Sequence, residues 1–260
     1  MSTDTMPEWL ADTPINGTHR RFFLCRLGQS GSTWFAKLLN SHPDVFCSHE
    51  RILSKIHPKT AASLDDQYHL IQWYAFDSQH ETYQAVGDIG SLDLFLAISL
   101  PRDIFRIGML MRHPINQIHT RMNVIDHDPS ELKIDDKRLA TEFYIKRDMG
   151  INASKYDPVD RYFLVNTWFW RRQFERAREV DCVIQVEKLN DVEYAQKALL
   201  DLTGVEYDEA LLERALAKRE NARARKVETT QEAFDQLTPQ QQEWYRFMVN
   251  DLAEEFGYSI

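Results

Sequence analysis

The sequence predicts an α/β fold: a central parallel β-sheet flanked by helices on both faces. Three observations carry this expectation. Short apolar runs recur along the chain, and each is nearly continuous, as a strand covered on both faces requires. Segments with helical apolar spacing separate them, the alternation that builds a parallel sheet. The first run also breaks into a small-residue loop before a helix, the usual strand-to-helix joint of such sheets.

The strand candidates are "RRFFLCRL" from Arg20, "IFRIGMLM" over 104–111, "DCVIQV" over 181–186 and, more weakly, "YQAVGDIG" over 83–90. After Asn190 and Asp191, the residues Tyr194, Ala198, Leu199 and Leu202 form a helical stripe that Gly204 stops. "DEALLERALAKRE" reads as the next helix. The last helix opens on Thr238-Pro-Gln-Gln, a capping box with proline in the first turn. Trp244, Met248, Leu252 and Phe256 then fall four apart, and Gly257 is the expected stop. Residues 1–18 read as a polar N-terminal arm and 19–260 as a single α/β domain, without internal repeats.

The 260 residues include 43% hydrophobic and 12% aromatic side chains, ordinary for a globular core. Against 31 Lys and Arg stand 40 Asp and Glu, for a net charge of −9. An acidic surface argues against a nucleic-acid or anionic-membrane partner. The N-terminus lacks the basic start and apolar core of a secretory signal. No apolar stretch approaches the roughly 20 residues of a membrane helix. Cys25, Cys47 and Cys182 are scattered and odd in number, which suits thiols of a reducing compartment rather than a disulfide or zinc framework. A cytoplasmic setting and no metal are the expectations, and an oligomer is compatible with them.

Two segments carry the chemistry. In "RLGQSGSTW", Gly28, Gln29, Ser30, Gly31, Ser32 and Thr33 form the loop after the first strand. Glycines let the backbone approach an anion, hydroxyls and loop N–H groups donate to it, and the following helix points its positive end there. The same loop also reads as a turn that binds nothing. A nucleoside-triphosphate loop needs a lysine after its last glycine; Ser32 stands there, and Lys37 lies inside the helix, so a nucleotide kinase is a remote reading. In "FRIGMLMRHPINQIHTRM", Arg112 ends a strand and Thr120 follows two helical turns later. A guanidinium there can grip a phosphate bidentately, or simply join a surface ion pair.

Together these segments resemble the sulfotransferases that use 3′-phosphoadenosine 5′-phosphosulfate (PAPS), in their bacterial and tyrosyl-protein branches. "GQSGSTW" matches their 5′-phosphosulfate loop, Pro-(Lys/Arg)-Ser-Gly-Thr-Thr-Trp, and "MLMRHPINQIHT" their 3′-phosphate segment, with His113 and Asn116 departing from the pattern and Thr120 in the serine's place. "NSHPDVFCSHE" over 40–50 is similar to the Asn-x-His-Pro stretch that ends on a glutamate. "VIQVEKLN…DLTG", with Glu187 and Gly204, and the C-terminal helix extend the likeness from Arg21 to Tyr258.

The resemblance implies a P-loop-like fold with PAPS as donor, transferring a sulfuryl group to an acceptor hydroxyl or amine. It implies that Ser30 to Thr33 hold the 5′-phosphate, that Arg112 and Thr120 hold the 3′-phosphate, and that Trp34 stacks on the adenine. Trp34 reads equally as core, sharing a helix face with Phe35, Leu38 and Leu39. Glu50 is the implied base, His49 a second candidate, and an ion pair of Glu50 with Arg51 the rival reading.

Two departures bear on turnover. Gln29 stands where the family has a basic residue, and Ile89 replaces the lysine of Gly-Asp-Lys-(Ser/Thr)-Pro. Losing one such electrostatic stabiliser costs on the order of 10²–10³ in rate. A PAPS-binding protein of the same fold with weakened catalysis is therefore the alternative function, and Arg26, Arg51 and Lys55 are candidate replacement cations. "KRENARARK" over 218–226 reads as a solvated helix end, with Arg223 and Arg225 as outlying 3′-phosphate ligands. Residues 52–80 and 123–163, rich in His, Tyr and Asp, are expected to line the site of a small-molecule or carbohydrate acceptor.

Overall fold

The computed structural model describes residues 20–28, 30–50, 71, 82–92, 94–127, 132, 136–217 and 229–260. The N-terminal arm, Gln29, Arg51, Lys55, nearly all of 52–80, Arg223 and Arg225 lie outside the described residues.

The strands are β1 (Arg20–Arg26), β2 (Val45–His49), β3 (Ala85–Ile89), β4 (Phe105–Met111) and β5 (Cys182–Gln185). Among the described residues the α-helices are α1 (Ser32–Leu39), α2 (Leu94–Ser99), α3 (Pro114–His127), α4 (Asp136–Met149), α5 (Pro158–Ala177), α6 (Val192–Thr203), α7 (Glu209–Ala217), α8 (Thr230–Asp235), α9 (Pro239–Tyr245) and α10 (Asp251–Glu255). They group into two compact units, one of 1–111 with 179–222 and one of 112–178 with 223–260.

The first unit holds a parallel sheet in the order β2-β3-β1-β4-β5. Strand β1 alternates strictly, and both of its faces are covered. Phe22 and Leu24 enter a core with Trp34, Phe35, Leu38 and Leu39 of α1 and Leu199 and Leu202 of α6. Phe23 enters the opposite layer, with Val86, Ala97, Phe105 and Ile107. Truncating a wholly buried aromatic such as Phe35 to alanine costs about 3–5 kcal/mol. The α/β architecture read from the apolar runs is thus the architecture found.

β2 is the strand the sequence did not announce. Its five residues are short, mixed in polarity and at the sheet edge. Asn40, just after α1, fixes it: Nδ2 donates to the Cys47 carbonyl (2.7 Å) and Oδ1 accepts from the Cys47 N–H (2.8 Å).

The second unit is helical. Asp157 caps α5, accepting from the Val159 and Asp160 N–H groups, with Pro158 in the first turn. Arg161 grips Glu142 of α4 with two bonds of 2.8 Å. Phe163, Trp170 and Phe174 of α5 are buried, with Phe163 against Trp244 and Phe174 against Phe256 and Tyr258. The Thr238 capping box opens α9 as expected. The C-terminal helix differs from expectation in its middle, where Arg246–Asn250 adopt a π-helical turn. The wider turn shifts the apolar stripe, so that Met248, Val249 and Ala253 are buried while Leu252 and Phe256 are only partly so.

Candidate functional site

β1 is the middle strand, with β3 and β2 on one side and β4 and β5 on the other. The chain leaving β1 builds α1 and reaches β2 on one side, whereas β4 is followed in the sequence by β5 on the other. The loop at 28–33 therefore follows the strand at the topological switch point, where open α/β sheets bind their ligands.

Gly31 caps α1 at φ 81°, a left-handed conformation that a side chain strains. Among the described residues no side chain caps the helix, and its first N–H groups and positive end face the loop. The Ser30 hydroxyl is buried and has no hydrogen-bond partner among the described residues. A buried unpaired hydroxyl is costly unless something else completes it. Thr33 is exposed. The hydroxyl of Ser32, itself buried, lies 2.9 Å from His49 Nε2. Among the described residues of this loop, an anion would meet hydroxyls and N–H groups, which fits a phosphate. Trp34 is 6% exposed and packs in the core beside Phe35, the second of its two expected positions.

His49 ends β2 and Glu50 follows it. The Glu50 N–H donates to the Ile89 carbonyl (2.9 Å), prolonging the β2–β3 ladder, yet its φ is 48°. A non-glycine residue in that region is strained, and such strain gathers at functional sites. The Glu50 carboxylate forms an ion pair with the Arg26 guanidinium, while Arg51, the partner its sequence neighbourhood suggested, lies outside the described residues. Burial, and then the charge of Arg26, push the His49 pKa below its ordinary value, so the imidazole is neutral at neutral pH. A Ser-His-Glu relay is excluded by geometry: Glu50 Oε1, at 4.0 Å, approaches the same nitrogen that meets Ser32.

The sequence reading missed the polar belt beneath these residues. Asp88 is 1% exposed and accepts hydrogen bonds from the Ser48 hydroxyl and from the Ser91 N–H (3.0 Å). Burial and the Asp88 charge together push the Cys47 thiol well up. Ser91 Oγ is buried without a partner among the described residues. Gly-Asp in a strand-like run was the only signal, and it says nothing of what the carboxylate meets.

In the second unit, Arg112 and Thr120 come together as the spacing of eight suggests, with Arg112 Nη1 3.2 Å from Thr120 Oγ1. The threonine hydroxyl donates to the Asn116 carbonyl (2.7 Å), which orients its oxygen toward the guanidinium. His113 Nδ1 accepts from the Ile115 N–H (3.2 Å), so Nε2 carries the proton and donates to the Ser259 carbonyl (3.1 Å). His113 is thus a helix-start acceptor and an anchor for the C-terminus. Burial holds its pKa below the ordinary histidine value.

Among the described residues, no helix is long and apolar enough to cross a membrane, and no group of His, Cys, Asp and Glu is arranged to hold a metal. No family model and no curated protein matches the chain. Among solved structures the chain is similar to a sulfotransferase from Alicyclobacillus acidocaldarius, with a TM-score of 0.46 and 16% identity over 94% of this chain and 98% of that one. At that identity and score the likeness stands beside the sheet described above and assigns no activity.

Proposed function

We propose that the protein is a sulfotransferase that takes PAPS as donor and an alcohol or amine as acceptor. The observation that carries this reading is the buried Ser30 hydroxyl, without a partner among the described residues, beside the start of α1, which no described side chain caps. In this reading Ser30, Ser32, Thr33 and the first N–H groups of α1 bind the donor's 5′-phosphate, and Arg112 with Thr120 binds its 3′-phosphate. The donor supplies a sulfuryl group on a good leaving phosphate. The chain's task is to hold that phosphate and to take the acceptor's proton.

Glu50 or the neutral His49 takes the proton as the acceptor oxygen bonds to sulfur and the sulfur–phosphate oxygen bond breaks. His49 Nε2 is engaged with Ser32, and Glu50 is engaged with Arg26, so either base acts after one contact loosens. Thermal shift tests the donor. Adenosine 3′,5′-bisphosphate should stabilise the protein and ATP with magnesium should not, with the effect lost in Arg112→Ala. Equal stabilisation by both ligands, or by neither, would overturn the reading.

A second reading, donor binding with weakened turnover, draws on Ile89. This residue is wholly buried in β3, where the resembling family has a lysine. Transfer of labelled sulfate from PAPS across a panel of phenols, sugars and amines separates the two readings.

A further inference from the structure

Resting on the donor reading above, we propose that Arg26 is the cation that meets the donor's sulfuryl end, in place of the basic residues absent at positions 29 and 89. Arg26 is the last residue of β1, two before Gly28. Its side chain crosses the carboxyl edge of the sheet. A Cβ at Gly90, just past β3, would fall 2.7 Å from Arg26 Nε and 3.4 Å from its Cγ and Cζ, and the guanidinium ends on Glu50, just past β2. With β3 lying between β1 and β2, the arginine bridges three strand ends.

Room for that path is built into the backbone. Gly90 has φ +83° and leaves no space for a side chain, so both constraints at this position favour glycine. The Arg26 side chain is 14% exposed, and a cation in so dry a place acts more strongly on a neighbouring anion than one in water. Its planar fork can serve Glu50 and a second anion together. Two buried hydroxyls of this unit without partners among the described residues, Ser30 and Ser91, follow the neighbouring strands β1 and β3. The nearby Asp88 carboxylate is already occupied by Ser48 and Ser91. The lowered His49 pKa reports the same field, since Arg26 is one of its causes.

The test compares dissociation constants for PAPS and for adenosine 3′,5′-bisphosphate, which lacks only the sulfuryl group. Arg26→Gln should weaken PAPS by about tenfold or more and the bisphosphate by less than about threefold. Adding Gln29→Lys to Arg26→Gln should restore part of the loss. Glu50→Gln keeps the arginine and removes a competing anion, so PAPS should bind about threefold tighter. This arm holds even if Arg26→Gln folds poorly. Equal weakening of both ligands by Arg26→Gln, or looser PAPS binding in Glu50→Gln, would overturn the role of Arg26 while leaving the donor reading standing. Failure of the unaltered protein to bind either ligand would overturn the donor reading, and the Arg26 role with it.

Discussion

Ser32 Oγ lies 2.9 Å from His49 Nε2, so the first turn of α1 is tied by side chains to the end of β2. Both His49 and His113 have pKa values held below the ordinary one, chiefly by burial. The unfolded chain therefore binds protons more readily than the folded one. Stability from these groups is fully present above the unfolded value of about 6.5 and is lost as pH falls through the lowered folded values. Urea unfolding at pH 8, 6 and 5 should show that decline, with a shallower slope in His113→Gln. A stability that rises on acidification through this range would contradict the assignment.

Ser30→Ala separates folding from binding. With no partner for Ser30 Oγ among the described residues, its removal should leave unfolding free energy unchanged or raise it by up to about 1 kcal/mol. The same change should weaken adenosine 3′,5′-bisphosphate. A destabilised variant with unaltered affinity would show that the hydroxyl serves structure.

Gly31→Ala should cost about 1–2 kcal/mol through the backbone alone. The left-handed φ of 81° is the cause, since an added Cβ meets nothing nearer than Val186 Cγ1 at 3.7 Å. Equilibrium denaturation measures it, and an unchanged midpoint would mean that the loop adopts another conformation in solution.

Asn40→Ala should destabilise by about 1–3 kcal/mol, because both backbone groups of Cys47 lose their side-chain partner. Hydrogen exchange should quicken in 45–50 before it quickens in β1. Asn40→Asp keeps the acceptor for the Cys47 N–H and should recover part of the loss.

Much of this molecule could be read in its sequence. Phe22 to Cys25 and Phe105 to Met111 are runs whose β-branched, aromatic and sulfur side chains suit a strand buried on both faces. The Thr238 capping box and the Gly204 stop are local devices, complete within four residues. Arg112 and Thr120 were also legible, because a helix converts their spacing into proximity. What escaped depends on distant partners. Arg26 finds Glu50 across 24 positions and Ser48 finds Asp88 across 40, and β2 has too few apolar residues to declare itself without Asn40. The π turn at 246–250 escaped for another reason: the residues there suit an ordinary helix, and nothing in their order marks the one widened turn that moves burial from Leu252 to Val249 and Ala253.

Strand β1 carries alternate aromatics into two separate cores, and its final residue reaches the rim where chemistry is proposed. Damage to Phe22 or Phe23, by unfolding the sheet, will therefore lower donor binding just as the proposed loss of the Arg26 contact would. A screen that scores activity alone will merge scaffold and machinery along these seven positions, and only a parallel measure of folded yield will tell them apart.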